Sequence, residues 1–205
     1  MKIKDLHHET AIKIIECSIE LFNEHGYEGT SISDISKKTE MSRGILYHYF
    51  KNKDSLYLYC VKKCIDDFRL YIKENTNDLH KGKEAALALL NTQQNFLKIH
   101  PQYRVLCYNT LAQRPAHLCD ELFEIKKALK EDNALAFEDA FKDVKFGKGV
   151  TLNDALRFLT LLQNNAVCAL DILSDIENAN AQEEAFFRTA TIFINGLEQD
   201  FETEG

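Results

Sequence analysis

Between Thr30 and Lys53 the sequence gathers side chains that hydrogen-bond a polyanion well and does little to support covalent chemistry. Arg43 carries a planar five-donor fork that matches guanine O6 and N7 in a DNA major groove. Tyr47, Tyr49 and Thr30 offer hydroxyls, and Lys51 and Lys53 offer ammonium groups, all suited to phosphate oxygens. His48 adds another polar tip. Gly44 lacks a side chain, so the backbone there can approach another molecule closely. These are binding groups. The chain has no Gly-rich phosphate loop, no His-Glu-x-x-His, no Gly-x-Ser-x-Gly and no paired-carboxylate context that singles itself out. A catalytic reading would leave the 43–53 cluster unexplained, so the chain is not expected to be an enzyme and calls for no cofactor.

Three short helices are needed to position these groups. From about Glu9 to Glu24, Ala11, Ile14, Ile15, Ser18, Leu21 and Phe22 fall on one face, with Glu16, Glu20 and Glu24 opposite. Gly26 follows, where a left-handed cap is expected. Thr30 and Ser31 are N-cap candidates, and Asp34 stands three residues after Ser31 as in a capping box. A second helix is expected over 32–38, burying Ile32 and Ile35. Ser42 then caps a third helix of about two turns, too short to be stable alone. Its anchors are Leu46 and Phe50, with Met41 joining from the turn. Arg43, Tyr47, His48 and Tyr49 are left to present their tips elsewhere. The N-terminus of a fourth helix, near Asn52, adds backbone N–H groups and a favourable dipole. A lone Tyr-His-Tyr-Phe would read as a helix end packed on a core. Here it follows a short capped helix and precedes two lysines, which favours DNA.

With these residues in place, the stretch resembles the N-terminal domain of the TetR family of transcriptional regulators. The matching positions are Ile14, Cys17, Ser18, Leu21, Phe22, Gly26, Tyr27, Thr30, Ile35, Ser42, Arg43, Gly44, Leu46, Tyr47, His48, Tyr49, Phe50, Lys51, Lys53 and Leu56. The resemblance covers roughly the first quarter of the chain. It implies a homodimer with an N-terminal helix-turn-helix domain and a C-terminal helical domain that binds a small-molecule effector. It also implies a double-stranded palindromic operator, read by Thr30, Ser31, Ser42, Arg43, Gly44, Ile45, Tyr47, His48, Tyr49, Lys51 and Lys53. Two residues depart from the family pattern. Glu40 stands where the turn usually has Gly, and a left-handed backbone there would cost about 1 kcal/mol. Ile45 stands where a small or hydroxylated residue is common. It either meets a thymine methyl or packs inward.

The net charge of −7 argues at first against nucleic acid. Up to residue 53, however, eight basic side chains balance eight acidic ones, so the whole excess arises later in the chain. No segment approaches the roughly 18 apolar residues of a membrane span. MKIKDLHHET lacks the apolar core of a signal peptide. A cytoplasmic location is expected, and the six dispersed cysteines read as buried thiols.

The expected fold class is all-α, with a DNA-binding domain over 1–53 and an effector-binding and dimerisation domain over 54–205. No linker rich in Pro, Gly or Ser parts them, so a continuous helix over about 53–75 joins them. Further helices are expected at about 83–99, 102–113, 116–143, 151–177 and 180–202, with a loop at 145–149. Pro101 and Pro115 mark helix starts. The helix at 151–177 is apolar on two sides and the last helix on one. In the resembled family the last two helices pair with their counterparts, so the homodimer interface is placed there. A thick monomeric core is the alternative.

Phe96, Tyr103, Cys107, Tyr108, Leu111, Phe123, Phe137, Phe141, Phe158 and Leu162 could line an effector pocket, with Asn165 as a polar contact. Few charges fall on these stripes, which suits a largely apolar or aromatic ligand. Aromatic stripes at helical spacing also serve simply as core. A metal- or thiol-responsive regulator on the same fold is a second reading, because Cys60 and Cys64 are four apart on one helix face. Two ligands are too few for a metal site, and a further His or Cys would have to come from elsewhere, with His100 and His117 as candidates.

Overall fold

The computed structural model describes residues 9–76, 81–104, 106, 115–168 and 176–198, with side chains described outside 162–168 and 176–183. The described elements are α-helices and 3-10 turns, with no strand among them. The helices are α1 (Glu9–Gly29), α2 (Ile32–Thr39), α3 (Arg43–Tyr49), α4 (Lys53–Thr76), α5 (Lys83–Ile99), α6 (Cys119–Phe141), α7 (Leu152–Cys168) and α8 (Ile176–Gly196). Pro101 opens a 3-10 turn over Pro101–Tyr103, and Pro115 precedes another over Ala116–Leu118.

The chain forms two compact units, and their division does not fall at residue 53. The first comprises the described residues of 1–67 and 100–126, the second those of 68–99 and 127–205. α4 begins at Lys53 and runs unbroken across the division at 67/68, contributing residues to both units.

In the first unit, α1 buries the face expected of it, with Ile19 and Tyr27 added. Ser18 sits in this apolar face because its hydroxyl donates back to Ile14 O at 2.6 Å. The helix breaks at Gly26, whose φ of 67° and ψ of −176° differ from the left-handed cap expected. That extended positive-φ region belongs essentially to glycine alone. A Cβ there would meet nothing within 4 Å, so the requirement comes from the backbone and not from space. Ser31 and Asp34 complete a capping box: Asp34 N donates to Ser31 Oγ at 3.2 Å and Ser31 N to Asp34 Oδ2 at 3.1 Å. α2 ends in a tight turn with Glu40 at φ 58°, ψ 30°, the left-handed geometry that its position threatened. Ser36 closes this turn by donating from Oγ to Met41 O at 2.5 Å.

In the second unit, α5 and α7 each pack on α8. Gly82 N donates to Ala140 O at 2.7 Å, and Gly147 N to Leu197 O at 2.8 Å, so loops close over helix ends. α7 starts under a second capping box, with Thr151 N donating to Asp154 Oδ2 at 3.0 Å and Asp154 N to Thr151 Oγ1 at 3.2 Å. α8 begins at Ile176, earlier than the expected 180. Asn178 and Asn180 are poor helix formers by themselves and are carried inside it. Most of the helix expected at 102–113, and residues 169–175 of the one at 151–177, lie outside the described residues.

Candidate nucleic-acid interface

α3 is held by its ends and by one buried side. Ser42 Oγ accepts from Ile45 N at 3.4 Å, and Phe50 N donates to Leu46 O at 2.9 Å. Leu46 and Phe50 are buried to 1% and 2% exposure, the two anchors expected. Successive residues of a helix turn by about 100°. Gly44 and His48, four apart, therefore lie nearly opposite Leu46, with Ile45 and Tyr47 on the two flanks. All four are exposed, Ile45 to 41% and Tyr47 to 51%. The alternative that Ile45 packs inward is thus excluded. Arg43 is exposed at the helix N-terminus, and Tyr49 is half-buried with its ring edge-on to His48 at 5.2 Å. Gly44 meets nothing closer than Ser42 Oγ at 3.7 Å, so a side chain there would fit the fold. What glycine leaves open is the outer surface.

Just beyond, Asn52 caps α4: its Oδ1 accepts from Ser55 N at 2.8 Å, and Asn52 N donates to Ser55 Oγ at 3.2 Å. Lys51 is exposed beside this N-terminus. Ser31 and Ser42 keep exposed positions, with their oxygens serving as helix caps.

Thr30 and Lys53, two of the expected phosphate contacts, are engaged within the fold. Thr30 is 1% exposed, and its Oγ1 donates to Leu21 O at 3.1 Å and Gly26 O at 2.8 Å. The hydroxyl ties the segment after the break at Gly26 back to α1. Lys53 turns back on the same break. Its Nζ donates to Tyr27 O at 3.0 Å and Thr30 O at 3.2 Å, and lies 3.9 Å from the Tyr27 ring centroid. Both residues build the interface from behind.

Sequence reasoning missed the contacts of Tyr27. Its hydroxyl donates to Asp54 Oδ1, and His117 Nε2 lies 3.4 Å from both atoms. Phe22 and Tyr57 close around it, the Tyr57 ring at 4.9 Å from each of the other two. The Tyr27 hydrogen bond, with a further one from His117, outweighs burial and holds the Asp54 carboxyl below the usual carboxylate range. Burial first, then the same hydrogen bond, pushes the Tyr27 phenol up. The Gly-Tyr turn was visible in sequence; the partners at 54 and 117 share no periodicity with it.

The expected effector-pocket residues are distributed over both units. Tyr103 and Phe123 belong to the first unit, and Phe96, Phe137, Phe141 and Phe158 to the second. Tyr103 is buried and donates to Asp67 Oδ2 at 2.6 Å, whereas Phe123 is 60% exposed. Phe96 meets Phe68 edge-on and Tyr71 at a tilt, and Phe137 with Phe141 and Phe158 with Phe193 form tilted ring pairs. Cys107, Tyr108 and Leu111 lie outside the described residues, as do the side chains of Leu162 and Asn165. Cys60 and Cys64 are buried to 0% and 1% exposure, with their thiols against Ile15 O at 3.9 Å and Tyr103 O at 3.8 Å. Burial pushes the Cys60 thiol well up, which disfavours the thiolate that a metal or an oxidant needs. The described residues hold no group of three or more His, Cys, Asp or Glu that could bind a metal. Among them, no helix is long and apolar enough to cross a membrane.

A short helix turned outward on a capped three-helix support defines a helix-turn-helix regulator of transcription. Residues 14–60 match the model of the bacterial regulatory proteins of the tetR family, and the chain belongs to that family. It is 26% identical over 152 residues to the biofilm operon icaADBC HTH-type negative transcriptional regulator IcaR of Staphylococcus aureus (strain Newman), covering 72% of this chain and 78% of that one. The IcaR of Staphylococcus epidermidis is 29% identical over 134 residues, 63% of this chain and 66% of the relative. In fold, the chain is similar to the transcriptional regulator FadR of Bacillus subtilis, solved in complex with stearoyl-CoA. The TM-score is 0.70 at 18% identity, over 93% of this chain and 99% of that one. FadR of Bacillus halodurans gives 0.69, also at 18%, over 94% and 98%.

Proposed function

We propose that this regulator is a cytoplasmic, dimeric repressor that holds a palindromic operator through two copies of α3 and is released by a small, largely apolar effector. The observation that carries this reading is α3 itself. It buries only Leu46 and turns Arg43, Gly44, Ile45, Tyr47 and His48 outward beside the cationic Lys51. In such motifs, N-terminal residues of the recognition helix meet base edges in the major groove, and a two-fold protein matches a two-fold site. Tyr47, Tyr49, Lys51 and the α4 N-terminus would contact phosphates, and Arg43 and Ile45 the bases. Repression is supported by the IcaR relatives, which are negative regulators by name.

Dimerisation is supported by apolar side chains that α7 and α8 leave exposed: Phe158 at 39%, Leu161 at 56% and Ile192 at 73%. A second copy would cover them. Effector release is framed as a population shift. α4 supplies Lys53–Asp67 to the first unit and the residues from Phe68 on to the second, so one continuous helix belongs to both. An effector that prefers one setting of that helix would change the spacing of the two α3 elements. Selection from randomised duplexes tests the reading: it should return an inverted repeat bound by a dimer. Recovery of unrelated sequences, or binding as a monomer to a single half-site, would reject it.

A further inference from the structure

We infer that Ile45 is a specificity-determining residue that reads the C5-methyl of a thymine in each operator half-site. The inference rests on the operator-binding reading above and names one of its base contacts. Ile45 is 41% exposed, while its neighbour Leu46 is 1% exposed. A branched apolar side chain is thus turned to solvent on a seven-residue helix whose other outward groups are Arg43, a glycine, a tyrosine and a histidine. Nothing in the packing of α3 requires an apolar group there, because Leu46 and Phe50 already supply the anchors. Ile45 is the third residue of the helix, and its backbone N is fixed by the Ser42 cap at 3.4 Å, close to the end that enters a groove first.

Its chemistry narrows the target. Isoleucine neither donates nor accepts, so it has nothing to offer phosphate oxygens or the polar base edges. The apolar group that bases display in the major groove is the thymine C5-methyl. Branching at Cβ leaves Ile45 few rotamers to lose on contact. Gly44, on the adjacent outward position, removes the side chain that would hold the helix away from the base plane. The mode of readout is therefore apolar contact, and the base it prefers is thymine over cytosine, which presents hydrogen at the same place.

The test is a thymine-to-deoxyuridine scan of the selected operator, which deletes one methyl at a time and leaves every hydrogen-bonding group in place. Wild type should lose about fourfold in affinity at one thymine per half-site, the value of one buried methyl. Ile45→Ala should bind the thymine and deoxyuridine forms of that site equally, and Ile45→Val should keep most of the preference. The side chain is exposed, so both variants should fold, and an unchanged thermal midpoint checks this. Specific binding with no Ile45-dependent methyl effect at any thymine would overturn the inference and leave the operator reading standing. Absence of sequence-specific binding by wild type would overturn both.

Discussion

The Tyr27 hydroxyl donates to Asp54 Oδ1, joining the turn after α1 to the first turn of α4. Lys53, the preceding residue, ties the same turn through Tyr27 O and Thr30 O. The turn between α1 and α2 is thereby fixed to the first turn of α4, which directly follows α3 in the chain.

This joint should be sensitive to acid. The Asp54 carboxyl sits below its ordinary value when folded, so its contribution is complete above the unfolded value of about 3.9 and is lost as pH falls through the lower folded value. Tyr27→Phe should cost about 1–2 kcal/mol at pH 7, as for a hydrogen bond to a charged group, and much less near pH 2. Urea midpoints at both pH values measure it. An equal cost at both would show that the charge of Asp54 does not matter.

Lys51 and Lys53, two residues apart, should separate cleanly. Lys51→Ala should leave stability unchanged, weaken DNA binding and lower the slope of log affinity against log salt by about 1 per protomer. Lys53→Ala should lower stability, because two carbonyls lose their donor, with a smaller change in salt slope. Identical behaviour of the two variants in both assays would contradict the assignment.

Glu40→Gly relieves the described residues of their one non-glycine positive φ. It should raise stability by up to about 1 kcal/mol, the relief of left-handed strain less the added freedom of the unfolded chain. Gly26→Ala should act in the opposite direction by about 1–3 kcal/mol, because its extended positive-φ geometry is denied to alanine. Thermal denaturation of the two variants beside wild type reads both signs.

Much of the head was legible in the sequence. Capping residues and apolar spacing determine where short helices begin and which side they bury, and Ser31, Ser42, Leu46 and Phe50 behave as their positions predict. The intramolecular partners of Thr30 and Lys53 were not foreseen, because residue type shows what a side chain can bond, not which partner folding brings to it. The carbonyls they meet, those of Leu21, Gly26, Tyr27 and Thr30, are backbone groups and leave no mark in a sequence. The same reason hid Asp54 and His117 as partners of Tyr27. In the second unit Phe96, Phe137 and Phe141 are buried, and a stripe of Phe at helical spacing signals burial without distinguishing a core from the wall of a pocket.

Cys60 and Cys64 should be silent in the native protein. Replacing both with Ala should not change the number of thiols that react with a bulky disulfide reagent before unfolding. A fall of two native-state thiols would revive the thiol-responsive reading.

The most direct test of the account is the affinity of the purified protein for its selected operator and for a scrambled duplex, followed by fluorescence anisotropy at two salt concentrations. Wild type should prefer the operator by a factor on the order of 10³ or more, and affinity for both should fall with salt. Arg43→Ala and Tyr47→Ala should each weaken operator binding while their thermal midpoints match wild type. Equal affinity for operator and scramble, or full operator affinity in both variants, would contradict the claim that α3 reads DNA.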